Sequence, residues 1–192
     1  IIKKVALSAF QNIRRSGLIA VNLRPEDELV GVIRVVKGDV VMVTTANGQA
    51  ILFEEDQVRP MGRNAAGVKG IGLDPNNYVI GLDKYREGAD VLIVTKHGYG
   101  KRVPLSEFKT QNRGGKGVKS IELTSKNGEV VATKIVSVDD ELVILTSEGQ
   151  IIRLEVEDIS VQKRYARGVL LMRLPDNDHI VSIARFRTES EE

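Results

Sequence analysis

The segment Gln111-Asn112-Arg113-Gly114-Gly115-Lys116-Gly117 has the residue types of an anion site. Three glycines in four positions remove the side chains that would hold backbone amides away from a phosphate, Arg113 and Lys116 add charge, and Gln111 can donate a further hydrogen bond. A nucleotide-binding P-loop needs Ser or Thr after the lysine and a helix opening there. Gly117 follows Lys116 instead, and no helix start is visible. The bland alternative is a plain glycine-rich turn. Other chemistries are poorly supplied. With no Cys and two isolated histidines, His97 and His179, neither a thiolate metal site nor a zinc centre is expected. Asp90 and Glu141 open similar apolar runs at similar places and read as structural, while Tyr78, Tyr85, Tyr99 and Tyr165 read as packing or rim residues with no nucleophile motif around them. Catalysis by this chain is not expected.

The 192 residues carry 28 Lys and Arg against 26 Asp and Glu, a net charge of only +2 that hides an uneven distribution. Residues 1–24 hold Lys3, Lys4, Arg14, Arg15 and Arg24 with no acid. Residues 96–119 hold Lys96, Lys101, Arg102, Lys109, Arg113, Lys116 and Lys119 against Glu107 alone. The stretches 48–67 and 149–168 are nearly balanced, so strong and weak clusters alternate. A single charge run is most often a solvated face. These cations recur at equivalent places, however: Lys3-Lys4 with Lys101-Arg102, and Arg63, Arg113 and Arg164 each four residues before a glycine of one series. On repeated units such positions share a rim, and a curved basic rim suits a bent polyanion such as duplex DNA, gripped through its backbone without sequence reading. The expected DNA contacts are Lys101, Arg102, Gln111, Arg113, Gly114, Gly115, Lys116, Gly117 and Lys119, with Lys3, Lys4, Arg14 and Arg15 as a second patch and Arg63 and Arg164 as counterparts in the weaker units.

What must position these residues is a repeat. Gly48, Gly98 and Gly149 form one series, and Gly17, Gly67, Gly117 and Gly168 a second, both spaced by 50 or 51 residues. Val and Ile are abundant and Ala scarce, which predicts an all-β chain. The apolar runs Asp39–Thr44, Asp90–Thr95 and Glu141–Thr146 read as fully buried strands, each turned at a glycine of the first series into a partner strand at Ala50–Phe53, Gly100–Val103 or Gln150–Leu154. Val58, Phe108 and Ile159, with Phe10 in the matching place, read as core anchors, and offsets +4 and +6 from the second glycine series alternate as a half-buried strand would. A last strand is expected at Leu29-Val30, Val79-Ile80, Val130-Val131 and Ile180-Val181. About four strands per 50 residues is the arithmetic of a bladed ring or a β-solenoid. We expect one repeat domain over 1–187, with units at about 1–36, 37–87, 88–138 and 139–187, the first lacking its opening strand, and a disordered acidic tail over 188–192. No apolar run approaches the roughly 18 residues of a membrane span, and no secretory signal opens the sequence, so the chain reads as soluble and intracellular.

The pattern resembles the C-terminal domain of the DNA gyrase A subunit, with the topoisomerase IV counterpart as its sibling. Gln111 to Gly117 is similar to the gyrase A box, usually QRRGGKG or QRRGGRG; Gly98 to Phe108 is similar to the segment that precedes it; Arg63 to Ile71 and Arg164 to Val169 are similar to degenerate copies. Asn112 departs from the box by losing one cation. The resemblance covers the chain up to about Phe186. It implies a β-pinwheel, a propeller-like and commonly six-bladed ring whose neighbouring blades exchange strands, of which this chain would be about four blades. Aligned from its end the chain resembles the third to sixth, so Gln111 to Gly117 would be a later copy of a box usually found in the first. The implied function is sequence-independent wrapping of double-stranded DNA for strand passage during supercoiling. The implied partners are the rest of gyrase A and gyrase B in a heterotetramer, in the bacterial cytoplasm with no membrane contact, and the isolated domain is expected to be monomeric. No cofactor is implied for this fragment, since ATP and magnesium belong to the intact enzyme. A bladed protein-interaction scaffold is the alternative of a different class, which an aromatic content of 4% weakly disfavours.

Overall fold

A computed structural model describes residues 1–187, without the side chain of Arg187; the expected disordered tail, 188–192, lies outside the described residues. The chain is all-β. Three antiparallel sheets follow one another along it, each built on a hairpin that turns at a glycine of the first series. In the first, β1 (Val40–Thr45) pairs with β2 (Gln49–Glu54) and with β3 (Val79–Lys84). In the second, β4 (Asp90–Thr95) pairs with β5 (Tyr99–Pro104) and, beyond the short β6 (Val118–Lys119), with β7 (Val130–Val136). In the third, β8 (Asp140–Thr146) pairs with β9 (Ile151–Glu155) and, past the short β10 (Val169–Leu170), with β11 (Ile180–Arg187). The three expected apolar runs are β1, β4 and β8, and each β-hairpin is followed by a single 3-10 turn.

The short strands tie the sheets together. β6 leaves its own unit to pair with β2 of the preceding one, Ala50 opposite Val118, and β10 pairs with β5 in the same way, Gly100 opposite Val169. Ile2 opposite Val68 repeats this link once more. This is the strand exchange that the pinwheel implies.

Both faces of β1 and β4 are covered, which is why their sequences are unbroken apolar runs rather than alternating ones. Met42, Ala50 and Leu52 of the first sheet pack with Val91, Ile93, Val103 and Ile135 of the second, and Leu92, Val94 and Val136 on its other face pack with Leu142 and Ile144 of the third. Val58, Phe108 and Ile159 are buried, as anchors should be. Each such side chain contributes on the order of 1.5–3 kcal/mol through burial.

Three expectations need correction. β8 is not fully buried: Asp140, Leu142, Ile144 and Thr146 are buried, while Glu141 and Val143 are half-buried and Leu145 is exposed, because among the described residues only one of its faces has a neighbouring sheet. No strand forms at Leu29-Val30. The last strand of every other unit pairs with the opening strand of its own unit, and residues 1–36 hold no such partner. Offsets +4 and +6 do not make a strand either, since β6 and β10 end two residues past their glycine; Ile71, Ile121 and Met172 at +4 are buried as plugs, whereas Leu73 at +6 is exposed.

Candidate nucleic-acid interface

The seam between units is the same structure built three times. In addition to the exchanged strand, the residue four past the hairpin glycine bridges the next unit in parallel: Leu52 to Thr110 and Arg102 to Val161, with Lys4 to Pro60 as the counterpart. Backbone bonds Met61 N to Lys4 O, Gln111 N to Leu52 O and Gln162 N to Arg102 O, at 2.9, 2.7 and 2.8 Å, close each bridge. Three of the four glycines of the second series sit at this contact. Gly67, Gly117 and Gly168 have φ of +85°, +74° and +84°, and a Cβ on Gly117 would stand 2.4 Å from Ala50 O. Only a residue without a side chain takes that turn against a neighbouring strand.

Most of the predicted cations go into this seam, and burial corrects two of them, Lys101 and Arg102, as DNA contacts. Lys101 is fully buried, and its ammonium donates to the carbonyls of Lys163, Arg164 and Ala166 at 2.8, 2.8 and 2.9 Å. Burial pushes Lys101 down to about 8, with Glu107 opposing the shift and Arg164 adding to it. Arg102 is buried too. It pairs with Asp90 at 3.1 Å and donates to Ile159 O and Glu157 O at 2.7 and 3.1 Å. Lys3 and Lys4 are half-buried and also bond across the first seam, Lys3 donating to Arg63 O and Lys4 to the carbonyl and carboxylate of Glu55. Desolvating an ammonium is costly unless it is paired, and once paired inside it is not available to a phosphate. These four bind neighbouring units of the protein. Asp90 and Glu141 are structural as expected, paired with Arg102 and Arg153.

Arg63, Arg113 and Arg164 are half-buried and form a regular series. Each donates through one terminal nitrogen to a carbonyl of the preceding unit: Arg63 to Ile19 O at 2.7 Å, Arg113 to Lys69 O, and Arg164 to Lys119 O at 2.9 Å. The three acceptors are themselves 50 residues apart, each two past its glycine. Arg113 also donates from Nε to Gln57 O at 3.0 Å, and the Arg164 guanidinium lies over the Phe108 and Tyr165 rings at 5.9 and 5.1 Å.

The glycine-rich loop is likewise partly spent on the seam. The amide of Arg113 donates to Gln57 Oε1 and that of Gly114 to Gly70 O, at 2.7 and 2.8 Å, and Gly115 O accepts from Gly72 N at 2.8 Å. The Gln111 amide and carbonyl are both engaged, with Leu52 O and Gln57 Nε2. Gly114 therefore serves close packing against the preceding unit more than it exposes an amide, and the expected amide cradle is reduced accordingly. What remains on the outside is a set of side chains. Lys116 is 71% exposed and pairs with the exposed Asp74 at 2.5 Å. Lys119, Arg14 and Arg15 are exposed.

Charge counting alone passes over Lys69, which the 50-residue spacing places in register with Lys119. It is exposed, and its stem lies along the loop: a side chain at Gly114 would meet Lys69 Cγ and Cδ at 3.8 Å. Lys163 and Arg167, in the corresponding loop of the last unit, are exposed as well, Arg167 meeting Glu122 at 3.7 Å. The tyrosines sit where packing or rim residues would. Tyr85 packs on the core, Tyr78 donates to Glu129 Oε2 at 3.3 Å, and the Tyr99 ring lies 5.7 Å from the Lys126 ammonium. No helix among the described residues is long and apolar enough to cross a membrane.

Comparison with known proteins agrees with this geometry. The family model described as DNA gyrase C-terminal domain, beta-propeller, matches residues 1–35, 39–85, 89–137 and 140–187. The DNA gyrase A subunit of Halalkalibacterium halodurans is 62% identical over 193 residues, which is 100% of this chain and 23% of that protein. The chain thus spans about a quarter of the curated relatives' length. Among solved structures, the C-terminal domain of DNA topoisomerase IV superposes with a TM-score of 0.92 at 26% identity, covering 97% of this chain and 59% of that one. A DNA gyrase A C-terminal domain superposes at 0.83 with 31% identity, covering 90% and 59%. Four matched repeats, three strand-exchanging seams and these relatives lead to one conclusion: the chain belongs to the DNA gyrase C-terminal domain, β-propeller family.

Proposed function

We propose that this chain binds double-stranded DNA without sequence preference and wraps it, as the C-terminal domain of a gyrase A subunit, presenting a DNA segment for strand passage during supercoiling. The observation that carries the reading is the seam recurring every 50 residues or so, which sets two pairs of exposed cations at matching places, Lys69 with Lys119 and Lys116 with Arg167, while Arg14, Arg15 and Lys163 lie at other positions of the corresponding loops. A backbone-following ligand suits cations repeated in this way. Each phosphate neutralised releases counterions, and several contacts offset the few kcal/mol that bending a 20–30 bp segment costs. On this reading the chain catalyses nothing itself, needs no cofactor, and works in the bacterial cytoplasm with the rest of gyrase A and with gyrase B. The cleavage and ATP- and magnesium-dependent chemistry then lie in those other regions. The close superposition on a topoisomerase IV domain favours that enzyme as a second reading, against which stands the 62% identity to a gyrase A chain.

Anisotropy titrations of labelled duplexes of unrelated sequence, repeated at several salt concentrations, test it. Equal affinities and a steep linear fall of log K with log salt are expected. Absence of binding at low salt, or a tenfold or larger preference between sequences, refutes it.

A further inference from the structure

We infer that Arg113 and Arg164 are positioning residues, and that the ammonium groups of Lys69 and Lys119, whose carbonyls they hold, are what takes the DNA phosphates. This rests on the DNA-binding reading above and assigns its contacts.

Three observations support the assignment. First, the arginine contact is a repeat feature: in all three seams the same side chain reaches the carbonyl of the residue two past the glycine in the preceding unit. A contact kept with one geometry in three places belongs to the scaffold. Second, the side chain at the held residue is free to face solvent where it is a lysine. Lys69 and Lys119 are both exposed, whereas the arginines are half-buried, and Arg164 is also stacked on two rings. Third, the arginine reaches the held residue itself at a short link: Lys119 lies in the two-residue β2–β6 ladder and Lys69 follows an isolated bridge at Val68, while the neighbouring bonds, Ser120 N to Gly48 O and Gly114 N to Gly70 O, both at 2.8 Å, fall one residue further on. A guanidinium with fixed donors anchors such a backbone better than a flexible ammonium could.

At the seam between the second and third units this gives a composite anion site. Lys69 comes from one unit and Lys116 from the next, with Arg113 fixing the backbone between them. Gly114 leaves room for the Lys69 stem, and the ammonium lies beside Gly72, where a Cβ would stand 3.5 Å from it. Lys116 is held at the same seam by the exposed Asp74, a pair that a phosphate can replace at little cost.

A double-mutant cycle on the salt slope separates the roles. Lys69→Ala should reduce the slope of log K against log salt by about 0.9, one phosphate's worth, so that a fourfold rise in salt weakens binding roughly 3.5-fold less than in the parent chain. Arg113→Ala made in the Lys69→Ala background should remove no further slope, because the arginine acts through the lysine. Arg113→Ala alone should speed amide exchange at Lys69 to Gly72, and Arg113→Lys should not restore the protection. Lys119→Ala and Arg164→Ala should behave as the second such pair. The inference is overturned by an unchanged slope in Lys69→Ala, or by a double variant that loses about 1.8, which would make Arg113 a phosphate contact in its own right. Failure of the parent chain to bind DNA at low salt would instead remove the functional reading beneath it.

Discussion

Replacing Gly117 by Ala should loosen the seam between the second and third units far more than an ordinary glycine substitution does. The cost has two components. A φ of +74° strains any residue with a Cβ by about 1–2 kcal/mol. The new methyl would also stand 2.4 Å from Ala50 O, 2.7 Å from Ala50 C and 3.1 Å from Ile51 N, all backbone atoms of a central strand that no rotamer change can clear. Relief requires β6 to part from β2, forfeiting the pairing of Gln49 with Lys119 and Ala50 with Val118, at about 0.5–1.5 kcal/mol per hydrogen bond. The total is about 2–5 kcal/mol. Gly88→Ala is the matched control, since Gly88 has a φ of +73° and nothing within 4 Å of an added Cβ, so it should cost only the backbone strain. Thermal and urea unfolding followed by circular dichroism measure both. For a chain of this size a 2 kcal/mol gap between the variants is about 4–8 °C in Tm. Equal midpoints for Gly117→Ala and Gly88→Ala would refute the claim that Gly117 is needed for strand exchange.

Two further outcomes follow from the buried cations. Arg102→Ala should cost about 3–5 kcal/mol in urea unfolding, because it leaves Asp90 and two carbonyls unpaired inside the seam, while the salt slope of DNA binding stays unchanged. Lys101→Ile places in the third unit the residue type that Ile51 supplies in the second, and it should alter how stability depends on pH. With Lys101 held near 8 in the fold and near 10.5 when unfolded, the unfolded chain binds more protons between those values. Stability of the parent chain should therefore rise from about pH 8 to 10.5 and be flat with respect to this group on either side. Lys101→Ile should lack the rise, and parallel urea-midpoint curves for the two chains would contradict the burial of this ammonium.

The repeat, its strands and the anchors Val58, Phe108 and Ile159 are legible in the sequence because glycine spacing and unbroken apolar runs report directly on turns and on sheets covered on both faces. The destinations of the cations are not. Lys101 and Lys116 look alike in a charge count, yet one ends among three carbonyls of the next unit and the other in solvent. The deciding partners are backbone oxygens 62 to 65 residues away, which residue types do not reveal. The repeat does carry a usable signal: Lys69 and Lys119 stand at the same position within their units, each two past its glycine. The missing strand at Leu29-Val30 and the alternating burial of β8 have the opposite origin. Both regions copy a repeat whose neighbouring element is not among the described residues, so local pattern overstates what forms there.

The central claim, that exposed cations on the corresponding loops of successive units carry one duplex along a curved path, is tested most directly by DNA topology. A closed circular plasmid is relaxed by a nicking-closing enzyme with the chain bound, then stripped of protein and its linking number measured. The account predicts a shift that grows with bound chain and disappears when Arg14, Arg15, Lys69, Lys116 and Lys119 are changed to Gln in a chain whose Tm is unaltered. No shift at saturating binding, or a full shift from the substituted chain, would contradict it.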